Sequence, residues 1–284
     1  MTFIPSQACV SRQIKRSAST LAQRECRVLI IVPPSESKRP PAASGRPVAL
    51  EELSFPTLLP TRRRIAEALV ETSADQDALE RLQVGRTHVL EVARNTRLFE
   101  LPAMPVLDVY TGPLHEGLDA SRLSAAAAAR AEHSLVVASA LWGALRPADR
   151  IPPYRLHVCA QLIGMDRLKS TWREVLPDVL ADTAGSEGLI VDLRSPNYQA
   201  TGMPAGLGDG TVTLRVEQGP RGHRIGDVIA KRVRGEAARH LLESGADPAD
   251  AHALADVLAD RWPVRLDSPE RPGKPWTLTL STDE

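Results

Sequence analysis

Apolar runs of strand length recur along the chain, separated by polar or amphipathic stretches. RVLIIV at residues 27–32, LVVAS at 135–139 and LIVDL at 189–193 are short and rich in aliphatic residues. Such runs predict strands that are buried on both faces. Residues 211–216 alternate between polar and apolar, which predicts a strand with one exposed face. We predict further strands at 106–110, at 224–229 and, as an edge strand, at 276–280.

Amphipathic stretches of helical period lie between these strands. We predict helices at 61–71, 75–82, 87–96, 121–131, 171–180 with an interruption at Pro177, 230–242 and 249–261. This mixture of elements predicts an α+β (mixed α/β) fold in which helices surround a central mixed sheet. Residues 1–26 are polar and lack periodicity, so we expect a disordered tail before a single domain at 27–284.

Polar loops follow the three apolar strands. Lys38 follows the first strand, a segment with Arg146 and Arg155 follows the second, and Ser195 and Tyr198 follow the third. If the three strands run parallel, their carboxyl ends meet at one edge of the sheet. On that condition, the sequence predicts that these cations and hydroxyls lie together.

The segment SALWGALRPADRIPPYRL at 139–156 is stiffened by three prolines. Proline fixes its own φ and restricts the residue before it. The prolines therefore hold the backbone around Arg146, Tyr154 and Arg155. A rigid loop that carries guanidinium groups is suited to binding phosphate or carboxylate. A connector whose arginines cap neighbouring helices explains the same residues.

Two further stretches carry candidate groups near predicted strand ends. Ser35 and Lys38 lie in the loop PPSESK, which lacks the glycines of a P-loop but offers a hydroxyl and an ammonium group to an anion. Tyr110 and Thr111 place a phenol and a hydroxyl before the turn at Gly112. A structural role for either stretch is the alternative.

Lys231 and Arg234 are three residues apart, so they share one face of the predicted helix at 230–242. Cations in a first helical turn oppose the helix dipole. Their presence there favours either a bound anion or a carboxylate partner, and the sequence does not separate the two.

Val84-Gly85-Arg86 connects the predicted helices at 75–82 and 87–96. Two short helices around a glycine hairpin expose backbone N–H groups that bind DNA phosphate in helix-hairpin-helix proteins. Gly85, Arg86 and Arg94 are therefore candidate DNA contacts. Such hairpins usually carry two glycines, and an ordinary helix turn is the alternative.

Charge and cysteine content bear on the partners, cofactors and location of the protein. Lys+Arg and Asp+Glu both number 35, so net charge gives no sign of a nucleic-acid or membrane partner. The three cysteines and seven histidines show no metal-ligand spacing, and we predict neither a metal nor another cofactor. An odd cysteine count without a signal peptide favours a cytoplasmic location. No apolar run reaches the ~18 residues of a membrane span.

Several of these blocks, taken together, resemble the YaaA family of bacterial peroxide-stress proteins. The matching stretches are PPSESK at 33–38, YTG at 110–112, WGALRP at 142–147 with PYRL at 153–156, IVDL at 190–193 followed by Ser195 and Tyr198, and KRVRG at 231–235. The resemblance covers residues 27–245 in order. Asp192 stands where the family pattern suggests Asn.

The resemblance implies a cytoplasmic protein of mixed α and β structure with a helix-hairpin-helix-like element and a capacity to bind DNA. It also implies a role in limiting damage when peroxide and iron occur together. Three functions stay open on the residues: duplex DNA binding, an enzyme acting on a nucleotide or small phosphorylated or otherwise anionic metabolite, and an interaction protein.

The candidate residues divide by role. The catalytic candidates are Lys38, Tyr110, Thr111, Tyr154 and Lys231. The anion-binding candidates are Ser35, Arg146, Arg155, Ser195, Tyr198 and Arg234. The enzyme hypothesis predicts that most of them share one cavity.

Overall fold

The structure is a computed structural model that describes residues 28–186, 188–219 and 225–282. The predicted tail at 1–26 and Arg224 lie outside these ranges. The strands are β1 Val28–Val32, β2 Met104–Pro105, β3 Leu135–Ser139, β4 Gly143–Leu145, β5 Arg150–Ile151, β6 Leu189–Asp192, β7 Thr211–Gln218, β8 Val264–Asp267 and β9 Trp276–Thr282.

The central sheet has seven strands in the order β4-β3-β1-β6-β7-β9-β8. Strands β3, β1, β6, β7 and β9 run parallel, and the edge strands β4 and β8 are antiparallel to their neighbours. Strands β1, β3 and β6 are buried along their whole length, as their apolar sequences predict. The expectation of a mixed α+β fold is confirmed.

Helices flank the sheet and fill the connections between its strands. They are α1 Leu59–Ala74, α2 Ala78–Arg81, α3 Val89–Asn95, α4 Val106–Val109, α5 Pro113–Leu118, α6 Ala125–Ser134, α7 Leu168–Arg173, α8 Leu176–Ala184, α9 Pro196–Gln199, α10 Asp227–Ser244 and α11 Ala251–Ala259. Helices α6 and α8 pack against β1, α10 against β7 and α11 against β9.

The strand order reverses at β1. From β1 the chain reaches β3 on one side and then continues to β6 on the other side. The loops that leave β1 and β6 therefore diverge at the carboxyl edge of the sheet. Ligands of open α/β sheets bind in the crevice that such a reversal leaves.

Helices α5 and α10 touch through their backbones. A Cβ atom on Gly235 would overlap the carbonyl oxygen of Leu114, and one on Gly117 would overlap that of Arg232. Only glycine fits at these two positions without moving a helix. The glycine of the KRVRG motif thus sets the spacing between the two helices.

Two predicted strands are helical. Residues 106–109 form α4, and residues 227–229 form the first turn of α10, so both strand predictions were wrong. A run of four or five apolar residues fits either state, because it is shorter than two helical turns. Tyr110, which follows α4, pairs with Lys38 in an isolated antiparallel bridge.

The last strand is not at the edge of the sheet. The prediction for 276–280 gave the correct strand, but β8 pairs with it on its outer side. The sequence of β8, VRLD, has only two apolar residues and escaped prediction. Its alternating pattern of intermediate and exposed residues is typical of an edge strand.

Candidate functional site

The PPSESK loop after β1 is held against the turn after α4. Ser35 Oγ donates to the carbonyl oxygen of Thr111 at 3.0 Å, and the N–H of Thr111 donates to the carbonyl of Ser37 at 3.0 Å. Ser35 also contacts Gly112 so closely that a Cβ there would overlap the hydroxyl. These contacts fix Lys38 beside Tyr110.

All three tyrosines of the chain are buried at this edge of the sheet. The hydroxyls of Tyr110 and Tyr154 are hydrogen bonded at 2.8 Å, and Tyr198 lies within electrostatic range of both. We call Ser35, Lys38, Tyr110, Tyr154, Arg155 and Tyr198 the edge cluster. Strands β1, β3 and β6 run parallel, which is the condition on which the sequence predicted that the residues after them converge.

Ser139, at the end of β3, continues this hydrogen-bonded group. Its Oγ lies 2.7 Å from the hydroxyl of Tyr154 and accepts the N–H groups of Leu141 at 3.2 Å and Trp142 at 3.0 Å. The indole of Trp142 packs edge-on against the ring of Tyr154. Ser139 was not among the predicted site residues, because nothing in an apolar strand marks a terminal serine as a hydrogen-bonding centre.

Lys38 lies over two of the aromatic rings. Its Nζ is 4.4 Å from the ring centroid of Tyr154 and 5.6 Å from that of Tyr110. It donates to the carbonyl of Ser35 at 2.9 Å. Burial lowers the pKa of Lys38 to about 8, against the opposing effect of the Glu36 carboxylate. Near neutral pH a fraction of the amine is therefore uncharged.

The phenols of the cluster are neutral hydrogen-bonding groups. Burial raises the pKa of Tyr110 to about 12 and the pKa values of Tyr154 and Tyr198 well above their usual 10. At physiological pH each phenol keeps its proton. These groups therefore donate hydrogen bonds and do not act as resident phenolate nucleophiles.

His115 on α5 is part of the same site. Its Nε2 lies 3.2 Å from the carbonyl of Pro33, and its ring centroid is 5.2 Å from that of Tyr110. A carbonyl only accepts, so Nε2 carries the proton. Burial, together with the smaller effect of the Lys38 charge, lowers the pKa of His115 to about 4, against the opposing effect of the hydrogen bond to Pro33. Sequence reasoning missed this residue, although it follows the Tyr110-Thr111-Gly112 stretch by three positions.

Arg155 is held at the rim of the cluster, with 13% of its side chain exposed. Its Nη1 contacts the carbonyl of Glu36 at 3.2 Å and the carboxylate of Glu91 at 3.4 Å. Asn95 fixes its backbone through two hydrogen bonds of 2.8 Å, one in each direction. Among the described residues, the buried Nε of Arg155 has no acceptor.

Arg234 approaches the end of β6 from α10. Burial lowers its pKa, while the carboxylates of Asp227 and Asp192 raise it. Asp192 itself forms a fully buried ion pair with Arg194 at 2.8 Å. The Nε of Arg234 is also buried without an acceptor in the described part of the chain.

Two predicted cations lie outside the edge cluster. Arg146 donates to the carbonyls of His133 at 2.6 Å and Leu135 at 3.2 Å, which places it at the amino end of β3. Lys231 forms an ion pair with Asp227 at 2.5 Å, with 43% of its side chain exposed. Because α10 begins at Asp227, Lys231 is in the second turn and not in the first as predicted.

Thr111 and Ser195 contribute to the candidate site mainly through backbone hydrogen bonds. Thr111 contributes its N–H and carbonyl to the contacts with the PPSESK loop. Ser195 precedes α9, and its carbonyl accepts the N–H groups of Tyr198 and Gln199. Both residues therefore position the neighbouring tyrosine.

The predicted DNA hairpin is a pair of short helices, α2 and α3, joined through Gln83, Val84 and Gly85. Gln83 has a left-handed φ of 55°, whereas Gly85 has a φ of −72° that any residue adopts. Arg86 is exposed and Arg94 is half-buried. The connection is a helix turn whose geometry does not depend on its glycine.

Metal centres and membrane-spanning helices are two further features to consider. Within the described ranges, no group of three or more His, Cys, Asp and Glu side chains is arranged to hold a metal ion. In the same part of the chain, no helix combines the length and apolar character needed to cross a bilayer.

Comparison with known proteins places the chain in a family. The family model described as "Peroxide stress protein YaaA" matches residues 28–264. A UPF0246 protein of Streptomyces coelicolor is 38% identical over 263 residues, which cover 90% of this chain and 99% of the relative. A UPF0246 protein of Corynebacterium efficiens is 37% identical over 236 residues, covering 81% and 91%. The chain therefore belongs to the YaaA family of peroxide stress proteins.

Proposed function

We propose that this YaaA-family member is a cytoplasmic stress protein that works by binding a small anionic ligand, a nucleotide or phosphorylated metabolite, at the edge cluster. The observation that carries the proposal is the pair of buried guanidinium N–H groups without acceptors on Arg155 and Arg234. Both arginines approach the carboxyl edge of the sheet, where the strand order reverses.

A buried donor without an acceptor costs about 1–3 kcal/mol. Among the described residues four side chains have such a group: Arg81, Trp142, Arg155 and Arg234. Two of the four are cations that the sequence marks as anion ligands. An anion supplies both the missing acceptors and the negative charge that guanidinium groups bind best.

The neutral groups of the cluster favour a small ligand over a duplex. The side chains of Tyr110 and Tyr154 are buried, so only a small group can reach their hydroxyls. Phosphates of a duplex are contacted chiefly by exposed cations. Buried phenols beside a lysine are instead suited to orienting one compact molecule.

Thermal unfolding with a panel of nucleotides, phosphorylated metabolites and inorganic phosphate tests the proposal. A ligand at a hundred times its Kd stabilises the native state by about 2.7 kcal/mol, which raises Tm measurably. Arg155→Gln should reduce the shift, whereas Arg122→Gln, at a side chain 82% exposed, should not. No shift with any anion, or an equal shift in both variants, contradicts the proposal.

Duplex DNA is a second candidate, favoured by the surface of α3 and the turn before it. Among the described residues Arg86 and Arg94 have no carboxylate within 4.0 Å, and Leu90 and Val89 are 76% and 50% exposed. Unpaired arginines beside exposed apolar side chains are typical of an interaction surface.

A mobility-shift assay at about 50 mM and about 200 mM salt separates this candidate from the first. If the surface binds DNA, the wild-type protein retards a duplex at the lower salt and the double variant Arg86→Gln/Arg94→Gln does not. Arg265→Gln serves as the control, because this exposed arginine lies on the distant edge strand β8. No retardation at the lower salt excludes the DNA proposal.

A further inference from the structure

The hydroxyls of Ser139, Tyr154 and Tyr110 form a hydrogen-bonded chain. A serine oxygen has two lone pairs and one proton. Both lone pairs of Ser139 are taken by the N–H groups of Leu141 and Trp142, so its proton goes to Tyr154. When Tyr154 donates to Tyr110, the chain runs from Ser139 through Tyr154 to Tyr110. The proton of Tyr110 is left for a further acceptor.

The amine of Lys38 has a matching geometry. Its Nζ lies 2.9 Å from the carbonyl of Ser35 and 3.4 Å from that of Glu36. A neutral amine has two protons and one lone pair. The two carbonyls accept both protons, so the uncharged form is fully hydrogen bonded and keeps its lone pair for another atom.

The surroundings of Lys38 support an uncharged amine within reach of solvent. The groups that face it are the carboxylates of Glu36 and Glu91, the guanidinium of Arg155, the neutral phenols of Tyr110 and Tyr154, and the neutral imidazole of His115. Lys38 keeps partial exposure, whereas both phenols are buried. Burial of the amine outweighs the two carboxylates and leaves its pKa at about 8.

We infer that Lys38 is a nucleophile that forms an imine with a carbonyl compound bearing an anionic group, and that Tyr110 is the proton donor to the departing oxygen. This inference rests on the proposed anion site, because Arg155 is the group that would hold the anionic end. A lysine amine becomes an effective nucleophile when desolvation or a neighbouring cation lowers its pKa.

The reaction is a condensation without change of oxidation state. The Lys38 nitrogen adds to the carbonyl carbon, and one nitrogen proton moves to the carbonyl oxygen to give a carbinolamine. Tyr110 protonates that hydroxyl, the carbon–oxygen bond breaks, and water leaves as the nitrogen lone pair forms the C=N bond. The remaining nitrogen proton returns to Tyr110. Amine and carbonyl have become imine and water, with Tyr110 unchanged.

Reductive trapping with pyridoxal 5′-phosphate, an aldehyde that carries a phosphate, tests the inference on the wild-type protein. After reduction with borohydride, peptide mass spectrometry measures labelling of each lysine. At about pH 7 a lysine of pKa about 8 holds roughly three hundred times more neutral amine than one at 10.5. We expect Lys38 to be labelled at least about tenfold faster than Lys169, Lys231 and Lys274.

Pyridoxal, which lacks the phosphate, is the matched control. Preferential labelling of Lys38 by the phosphorylated aldehyde alone, suppressed by inorganic phosphate, supports both the imine and the anion site. Equal preference with both aldehydes supports the imine and overturns the anion site. If anions raise Tm but the phosphorylated aldehyde does not prefer Lys38, the imine is overturned and the anion site stands.

The role of Tyr110 has its own readout. Tyr110→Phe should slow the labelling of Lys38 by about a hundredfold, the lower end of the range for a positioned general acid. Measuring the rate at a saturating concentration of the aldehyde separates proton donation from binding, and anion-induced Tm shifts report any loss of binding directly. Tyr154→Phe, which interrupts the hydroxyl chain but keeps the Tyr110 proton, should have the smaller effect. Unchanged labelling in Tyr110→Phe would assign the tyrosine to packing.

Discussion

Arg146 and Arg155 come from the same proline-stiffened segment and serve opposite ends of the sheet. Arg146 donates to the carbonyl of Leu135, the first residue of β3, whereas Arg155 contacts Glu36 just beyond the end of β1. Since β1 and β3 are parallel, the two ends are distinct. The guanidinium of Arg146 is bound to backbone carbonyls, and that of Arg155 keeps a buried N–H without an acceptor. The partners of the two guanidinium groups, and not the residue type, distinguish the two arginines.

The same contrast extends to the two regions around these arginines. Asp149 beside Arg146 accepts three hydrogen bonds, from the N–H and Oγ of Ser54 and from the N–H of Arg146. In the edge cluster, burial instead disfavours the charged forms of Lys38 and His115. The carboxylate of the first region is hydrogen bonded three times, whereas burial in the second region favours uncharged side chains. Substitutions in the two regions should therefore affect different measurements.

The largest expected effect is on stability at the amino end of the sheet. Asp149→Ala removes the acceptor of three hydrogen bonds and should lower the free energy of unfolding by about 3–5 kcal/mol. Urea denaturation measures the loss. The folded fraction of the variant should still show anion-induced Tm shifts. Asp149→Asn keeps one acceptor oxygen and should lose less free energy of unfolding. If Asp149→Ala kept the wild-type free energy of unfolding but lost the anion-induced Tm shift, the distinction between the two regions would be wrong.

A second effect concerns stability at acid pH and arises from His115, which lies beside the edge cluster. The pKa of His115 is about 4 in the folded protein and 6.5 in the unfolded chain, so between these values only the unfolded state binds the proton. Stability should fall by about 2–3 kcal/mol as pH drops from about 6.5 to about 4. His115→Gln should flatten this part of the profile. His133→Gln, at an exposed side chain beside Arg146, should leave it as in the wild type.

The smallest of the three effects appears on the alkaline side. The pKa of Lys38 is about 8 when folded and 10.5 when unfolded, so between these values only the unfolded chain holds the proton and stability rises with pH. From about pH 8 to about pH 9.5 the wild type should gain roughly 2 kcal/mol relative to Lys38→Met. Chemical denaturation at the two pH values measures the difference. A parallel profile for wild type and variant would show that Lys38 is not desolvated.

Much of the fold follows from local pattern. The runs that became β1, β3 and β6 are apolar throughout, and a strand in the middle of a parallel sheet must be so. The four residues VLDV of α4 and VRLD of β8 are too short or too polar for periodicity to decide. In both cases the state depends on a neighbour, Asp149 for α4 and β9 for β8.

The site was predictable only in part, for a related reason. Lys38, Tyr110, Tyr154 and Tyr198 were identified because scarce residue types follow strands or sit in a stiff loop. Ser139 and His115 were missed, because their roles arise from contacts across the fold. Arg146 looked equivalent to Arg155 until the acceptors around each were known.

The glycine contact between α5 and α10 has a mechanical consequence for the edge cluster. His115 belongs to one helix and Arg234 precedes the contact glycine of the other. The two backbones meet with no side chain between them, so no side-chain rearrangement can absorb a shift of one helix relative to the other. We therefore expect a molecule that displaces Arg234 to shift His115 with it.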